Sequence, residues 1–210
     1  MEVTTSADLL DLSPVIPVVV IADPADSVPT ARALLAGGIR VIELTLRTPA
    51  ALEAIERVAT EVPDIVVGAG TVTAPEHAKQ AVDAGAAFLV TPGCTDRILD
   101  AAFDTGLPFL PGASTVSEAM RLAERGLTAL KFFPAEASGG IAYLSSIGGP
   151  LPGLRFCPTG GITIKSASDY LALPNVGCIG GSWLTPKDVL AAKDFGRIEG
   201  LAREAAALRN

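Results

Sequence analysis

Histidine and cysteine are nearly missing from this chain. One His and three Cys stand among 210 residues, and no two Cys form a CxxC pair. Too few soft ligands remain for a transition-metal site. The odd set of Cys94, Cys157 and Cys178 fits a reducing compartment better than a disulfide framework. Charged residues make up only 19% of the chain, and 16 scattered Lys and Arg face 23 acids for a net charge of −7. That excludes the basic footprint of a nucleic-acid binder. An anionic ligand must then be held by a local cationic pocket, because the global field opposes it. The start, MEVTTSADLLDLSP, lacks the basic region and long apolar stretch of a signal peptide. No apolar run is long enough to span a membrane, so the expectation is a cytoplasmic protein with no membrane or nucleic-acid partner. There is no GxSxG motif, and GxGxxG is absent after the first apolar run.

What is present is apolar and periodic. Hydrophobic residues reach 49%, which excludes a disordered chain. Eight short apolar runs occupy 15–22, 41–46, 65–70, 87–90, 107–112, 129–133, 154–161 and 176–181. Helix-period segments fall between them, at 26–37, 50–61, 75–84, 95–105 and 115–125, more weakly at 139–147 and 166–172, and finally at about 194–208. Thr73 is placed as a helix N-cap ahead of Pro75, and Gly37-Gly38, Gly85, Gly106 and Gly126 as helix stops. Strands alternating with helices imply parallel βαβ units, and runs apolar on both faces fit strands buried on both sides. Eight units in about 200 residues predict a single-domain α/β fold, a (β/α)8 TIM barrel over 1–210, with an N-terminal extension or helix at about 1–13. A doubly wound open sheet is the rival.

Barrel active sites sit at the C-terminal ends of the strands, so polar residues in or just after the runs carry the information. Alternation puts Val41, Glu43, Thr45 and Arg47 on one face of the second run and Ile42, Leu44 and Leu46 on the other. The apolar set packs on helices, which aims Glu43 and Arg47 inward. A buried carboxylate is costly unless paired or used. Of the five lysines, Lys79, Lys165, Lys187 and Lys193 read as surface positions, and only Lys131 lies inside an apolar strand. A buried amine tends to lose its charge, and a neutral amine is a nucleophile that forms Schiff bases with carbonyls. Spacing alone leaves two readings of Lys131: such a nucleophile, or a counter-ion for a barrel carboxylate.

The strand ends add candidates. Gly68-Ala69-Gly70 permits close backbone approach, and Thr71 offers a hydroxyl. Pro92 follows the fourth run as a pocket wall or a plain turn. Thr159-Gly160-Gly161 and Gly180-Gly181-Ser182 end the seventh and eighth runs, where this fold often binds phosphate through backbone N–H groups. Tight packing at barrel turns is the other reading. His77 is expected on the surface, Cys157 and Cys178 in the core, and Cys94 in a loop as a thiol that could react but has no base beside it.

In combination, VIELTLRT, VGAGTV, the PG at 92–93, LPGASTVSE, LKFFPAEASGG, RFCPTGGI and CIGGSWL resemble the 2-dehydro-3-deoxy-phosphogluconate (KDPG) and 4-hydroxy-2-oxoglutarate (KHG) aldolases, over about residues 14–205. The resemblance implies a cytoplasmic, metal-independent class I aldolase that needs no cofactor, usually a homotrimer, acting on a phosphorylated 2-oxo acid. It implies Lys131 as the Schiff-base lysine and Glu43 as the general acid/base. Arg47 and Thr71 would bind the pyruvate carboxylate, and Pro92 and Phe133 would wall the pyruvyl group. Thr159, Gly160, Gly161, Gly181 and Ser182 would hold the distal, phosphorylated end. The alternatives are a phosphogalactonate-type aldolase and a non-catalytic barrel that binds a phosphorylated metabolite.

Overall fold

The eight apolar runs become nine strands in a computed structural model that describes residues 3–209. They are β1 (Val15–Val19), β2 (Val41–Thr45), β3 (Val66–Gly70), β4 (Leu89–Val90), β5 (Phe109–Leu110), β6 (Gly112–Ala113), β7 (Ala129–Phe132), β8 (Arg155–Pro158) and β9 (Ile179–Gly181). The fifth run is split because Pro111 has no N–H to continue the ladder. Before it, Phe109 and Leu110 pair with Leu89 and Val90; after it, Gly112 and Ala113 pair with Lys131 and Phe132. One strand thus bonds to each neighbour with a different half of its length, as the stagger of a barrel demands. Every pairing is parallel, and the bridges Phe156↔Val176 and Thr159↔Gly180 join β8 to the β9 segment and close the ring. The fold is the expected α/β barrel.

Helices α1 (Ser6–Asp11), α2 (Ser27–Ala36), α3 (Ala51–Glu61), α4 (Pro75–Asp83), α5 (Asp96–Thr105), α6 (Val116–Glu124), α7 (Gly140–Gly148), α8 (Ile164–Leu171), α9 (Lys187–Ala191) and α10 (Phe195–Ala206) surround it. The apolar spacing decides which face is buried: Ala51, Ala54, Ile55 and Val58 on α3 recur at i, i+3, i+4 and i+7, and all four are buried. Helix α5 ends in Gly106 at φ 70, where a side chain would be strained. Gly37 works differently. Its φ is −78, and it lets α10 approach so closely that a Cβ there would strike Ala202 and the Glu199 backbone. The expected N-cap at Thr73 is corrected: Ala74 holds that place with extended backbone ahead of Pro75. The Thr73 N–H instead donates to His77 Nδ1 at 3.3 Å, which leaves His77 half-buried rather than on the open surface. Helix α9 carried no periodic signal in its five residues.

α1 covers the N-terminal end of the barrel. A reciprocal capping box between Thr5 and Asp8 starts it, with Thr5 N–H donating to the Asp8 carboxylate at 2.8 Å. Leu9 and Leu10 are fully buried, each contributing about 1.5–3 kcal/mol of burial. Arg155, at the start of β8, holds Asp11 through two hydrogen bonds of 2.7 and 3.1 Å. With that end plugged, the open end is the C-terminal one, where the polar strand residues emerge.

Candidate active site

Glu43 sits in the middle of β2, in register with Val18 on β1 and Gly68 on β3. All five residues of β2 are buried, and Glu43 keeps only 2% of its exposure. Room for its carboxylate comes from Gly70: a Cβ at that position would overlap the Glu43 side chain. The glycines of GAG therefore serve packing inside the barrel. Gly68 makes way for the Phe88 ring in the same manner.

Lys131 comes from β7, in register with Gly112 on one side and Cys157 on the other. It is 4% exposed, and its Nζ lies 3.3 Å from Glu43 Oε1. Both readings of Lys131 thus meet in one geometry. The amine is paired with a carboxylate, and the same pairing places a proton acceptor within about the reach that general acid–base catalysis needs. Taking two charges out of water costs several kcal/mol per ion before their attraction offsets it. The Phe133 ring lies beside the pair, its centroid 5.5 Å from Nζ.

Arg47 departs from the strict alternation. The chain turns after Thr45, with Arg47 N–H donating to the Thr45 carbonyl at 2.8 Å, so Arg47 stands exposed at the rim rather than inside the barrel. Its Nε donates to Thr71 Oγ1 at 2.9 Å. Thr71 has φ 59, a left-handed conformation uncommon for a β-branched residue. That conformation presents the hydroxyl to Arg47, and the two terminal nitrogens of the guanidinium fork remain for a carboxylate.

A cavity of about 110 Å³ opens beside this rim, lined by Arg47, Phe133, Thr159, Gly160, Gly161 and Ser182 among the expected residues. Gly180, noted with Gly181 at the end of the eighth run, lines it too, as do Val18 and Ile162, which were not singled out from the sequence. Period-2 alternation along β1 was the signal for Val18; nothing local marked Ile162. Gly180 is required because a Cβ there would overlap Thr159, whose hydroxyl donates to the Cys157 carbonyl at 3.3 Å. Gly160 and Gly161 have φ 105 and 82. Among the described residues no hydrogen bond takes up the N–H of Gly161 or Ile162. Such N–H groups suit an anion.

Two of the expected residues, Pro92 and Gly181, do not line this cavity. Pro92 packs on Gly112, the strand neighbour of Lys131, so closely that a Cβ on Gly112 would strike its backbone. Thr91 Oγ1 accepts the Gly112 N–H at 3.0 Å and fastens the same contact. Gly181 packs under the Trp183 ring. Larger hollows lie elsewhere, one of about 470 Å³ between α4 and α5; neither that hollow nor the rim cavity is lined by Glu43 or Lys131. Cys94 is half-buried, and burial pushes its thiol up to about 11. It is a sluggish thiol at neutral pH. No three His, Cys, Asp or Glu side chains among the described residues come together as a metal site.

Comparison with known proteins identifies the family. Residues 7–201 match the model of the KDPG and KHG aldolase family. A 2-dehydro-3-deoxy-phosphogluconate aldolase of Dickeya dadantii is 53% identical over 97% of this chain and 96% of its own. The KHG/KDPG aldolase of Escherichia coli K12 is 51% identical over 96% of this chain and 95% of its own. The crystal structure of KDPG aldolase from Legionella pneumophila, with pyruvate captured at low pH as a covalent carbinolamine intermediate, superposes with a TM-score of 0.95. It is 44% identical and covers 97% of this chain and 98% of its own. This chain therefore belongs to the KDPG and KHG aldolase family.

Proposed function

We propose that this protein is a class I aldolase that cleaves KDPG to pyruvate and glyceraldehyde 3-phosphate, and 4-hydroxy-2-oxoglutarate to pyruvate and glyoxylate. The observation that carries the reading is the buried Lys131–Glu43 pair at 3.3 Å in the barrel interior. The pair supplies both chemical groups the reaction needs. Lys131 passes a proton to Glu43, and its free Nζ attacks the C2 carbonyl to form a carbinolamine. Glu43 returns that proton to the departing hydroxyl, water leaves, and an iminium remains. The iminium draws the electron pair of the C3–C4 bond into a C2–C3 enamine as Glu43 takes the C4 hydroxyl proton and the aldehyde departs. Glu43 then protonates C3, and water releases pyruvate and the amine. One carboxylate serves every step because each transfer is undone by the next.

Arg47, oriented by Thr71, binds the 2-oxo acid carboxylate, and Phe133 and Pro92 wall the pyruvyl group. Thr159, Gly160, Gly161, Gly181 and Ser182 hold the far end with its phosphate. No described helix is long and apolar enough to cross a membrane. We place the single-domain barrel in the cytoplasm as a homotrimer, which a monomer in sedimentation equilibrium would overturn. The reaction itself is tested by incubating the protein with pyruvate and borohydride and mapping the adduct. Reduction is expected to fix a pyruvyl mass on Lys131. Lys131→Ala is expected to trap nothing and to lose about 10⁶-fold in kcat, the scale of losing a nucleophile. An unmodified Lys131 in the wild-type protein sinks the proposal.

A further inference from the structure

Beneath the Thr159–Gly161 loop lies a contact that the reaction scheme does not use. Gly161 packs directly on Glu136: a Cβ at position 161 would lie 2.6 Å from Glu136 Cγ and 2.7 Å from its Cβ. The backbone holds the same two segments together. Ala135 N–H donates to the Thr159 carbonyl at 2.8 Å, and Glu136 N–H to the Gly160 carbonyl at 3.1 Å. The far end of Glu136 is also fastened, since Oε1 accepts the Tyr170 hydroxyl at 2.6 Å. Tyr170 is fully buried on α8 and cannot follow the carboxylate if it moves. Burial and the Glu136 carboxylate push the Tyr170 phenol well above its usual range, so it stays a donor. Gly140 leaves the space the hydroxyl fills.

A loop that binds an anion through backbone N–H groups has two needs: carbonyls turned away from the ligand, and no loose negative charge nearby. The contacts around Glu136 meet both. We propose that Glu136 and Tyr170 are positioning residues for the distal phosphate of the substrate. Their hydrogen bond seats the Thr159–Gly161 loop and holds the Glu136 charge off the incoming anion. The inference rests on reading that loop as the phosphate site.

The test compares KDPG with its unphosphorylated counterpart, 2-dehydro-3-deoxygluconate, in the wild type and three variants. Tyr170→Phe removes one hydroxyl and is expected to raise KM for KDPG about tenfold, the effect of one hydrogen bond to a charged acceptor, with kcat within about twofold. KM for the unphosphorylated substrate and borohydride trapping of pyruvate are expected to hold. Glu136→Gln keeps an acceptor oxygen for Tyr170 and is expected to stay within about threefold of wild type. Gly161→Ala pushes the same contact from the loop side and is expected to raise KM more for KDPG than for the unphosphorylated substrate, so a folding failure in one variant leaves a second test. An equal rise on both substrates, or none, overturns the positioning role. A wild-type protein that cleaves both substrates equally well overturns the phosphate reading of the loop and this inference with it, while trapping on Lys131 would still stand.

Discussion

On one side of the barrel, β1, β2 and β3 run five residues each, and β2 and β3 pair at all five positions. On the other, β6 has two residues, β7 and β8 have four each, and the seam to β9 is two isolated bridges. The long ladder supplies Glu43, in mid-strand and buried. The short one supplies Lys131 and, just past the strand ends, Phe133 and the Thr159–Gly161 loop. Glu43, the proposed proton carrier, stands on the longer ladder. The groups proposed to bind the substrate stand where the ladders give way to turns. Sites carried on strands hold geometry more tightly than sites carried on loops: Glu43 and Lys131 stand on strands, whereas Arg47, Thr71 and the Thr159–Gly161 loop stand past strand ends.

The sharpest way to break the comparison is Glu43→Gln. It keeps the shape and removes the base, so kcat is expected to fall about 10²–10⁴-fold while pyruvate is still trapped on Lys131. Full turnover in that variant refutes the base assignment. Gly70→Ala comes next. Its Cβ enters the space of the Glu43 carboxylate, so a fall in kcat of about 10–100-fold is expected, with about 1–3 kcal/mol of lost stability in urea unfolding. Gly68→Ala is the control, because it strikes the Phe88 ring and is expected to lose stability with little change in kcat. If both variants lose kcat alike, rigidity of the long ladder and placement of Glu43 are not separable.

Effects at the rim are smaller. Thr71→Val keeps the branched shape but removes the acceptor of Arg47 Nε. KM is expected to rise about 3–10-fold, as for one exposed hydrogen bond, with kcat unchanged; a fall in kcat instead would move Thr71 into the chemistry. Smallest is Cys94, in the loop after β4. Its thiol is pushed up to about 11 by burial, and the thiolate is the reactive form. Alkylation is expected to be slow at pH 7 and to climb toward pH 11. A rate midpoint near the ordinary thiol value of about 8.5 contradicts the burial account.

Much of the site was legible from alternation. Glu43 and Lys131 were conspicuous because each is charged inside a run with apolar neighbours, and burial makes such a residue expensive. Arg47 shows where alternation ends: one backbone turn after Thr45 moved it from the interior to the rim. Thr71 was noted as a hydroxyl, but its left-handed backbone and its grip on Arg47 needed coordinates. The glycines of GAG were read as permitting close backbone approach, and what fills the space they leave is Glu43 and Phe88. Glu136 and Tyr170 had no signal at all, being an ordinary acid near a turn and an ordinary aromatic on a helix.

Low charge and eight periodic units with alternating strands were enough to determine the fold class and which carboxylate and which lysine lie inside. Those follow from local patterns, because burial and strand alternation are properties of neighbouring residues. Whether Lys131 meets Glu43 was decided only in the folded barrel, across 88 residues of sequence. So were the partner switch at Pro111 and the seating of the Thr159–Gly161 loop on Glu136. Contacts between distant segments depend on how the strands stagger as the ring closes, and no local pattern carries that stagger.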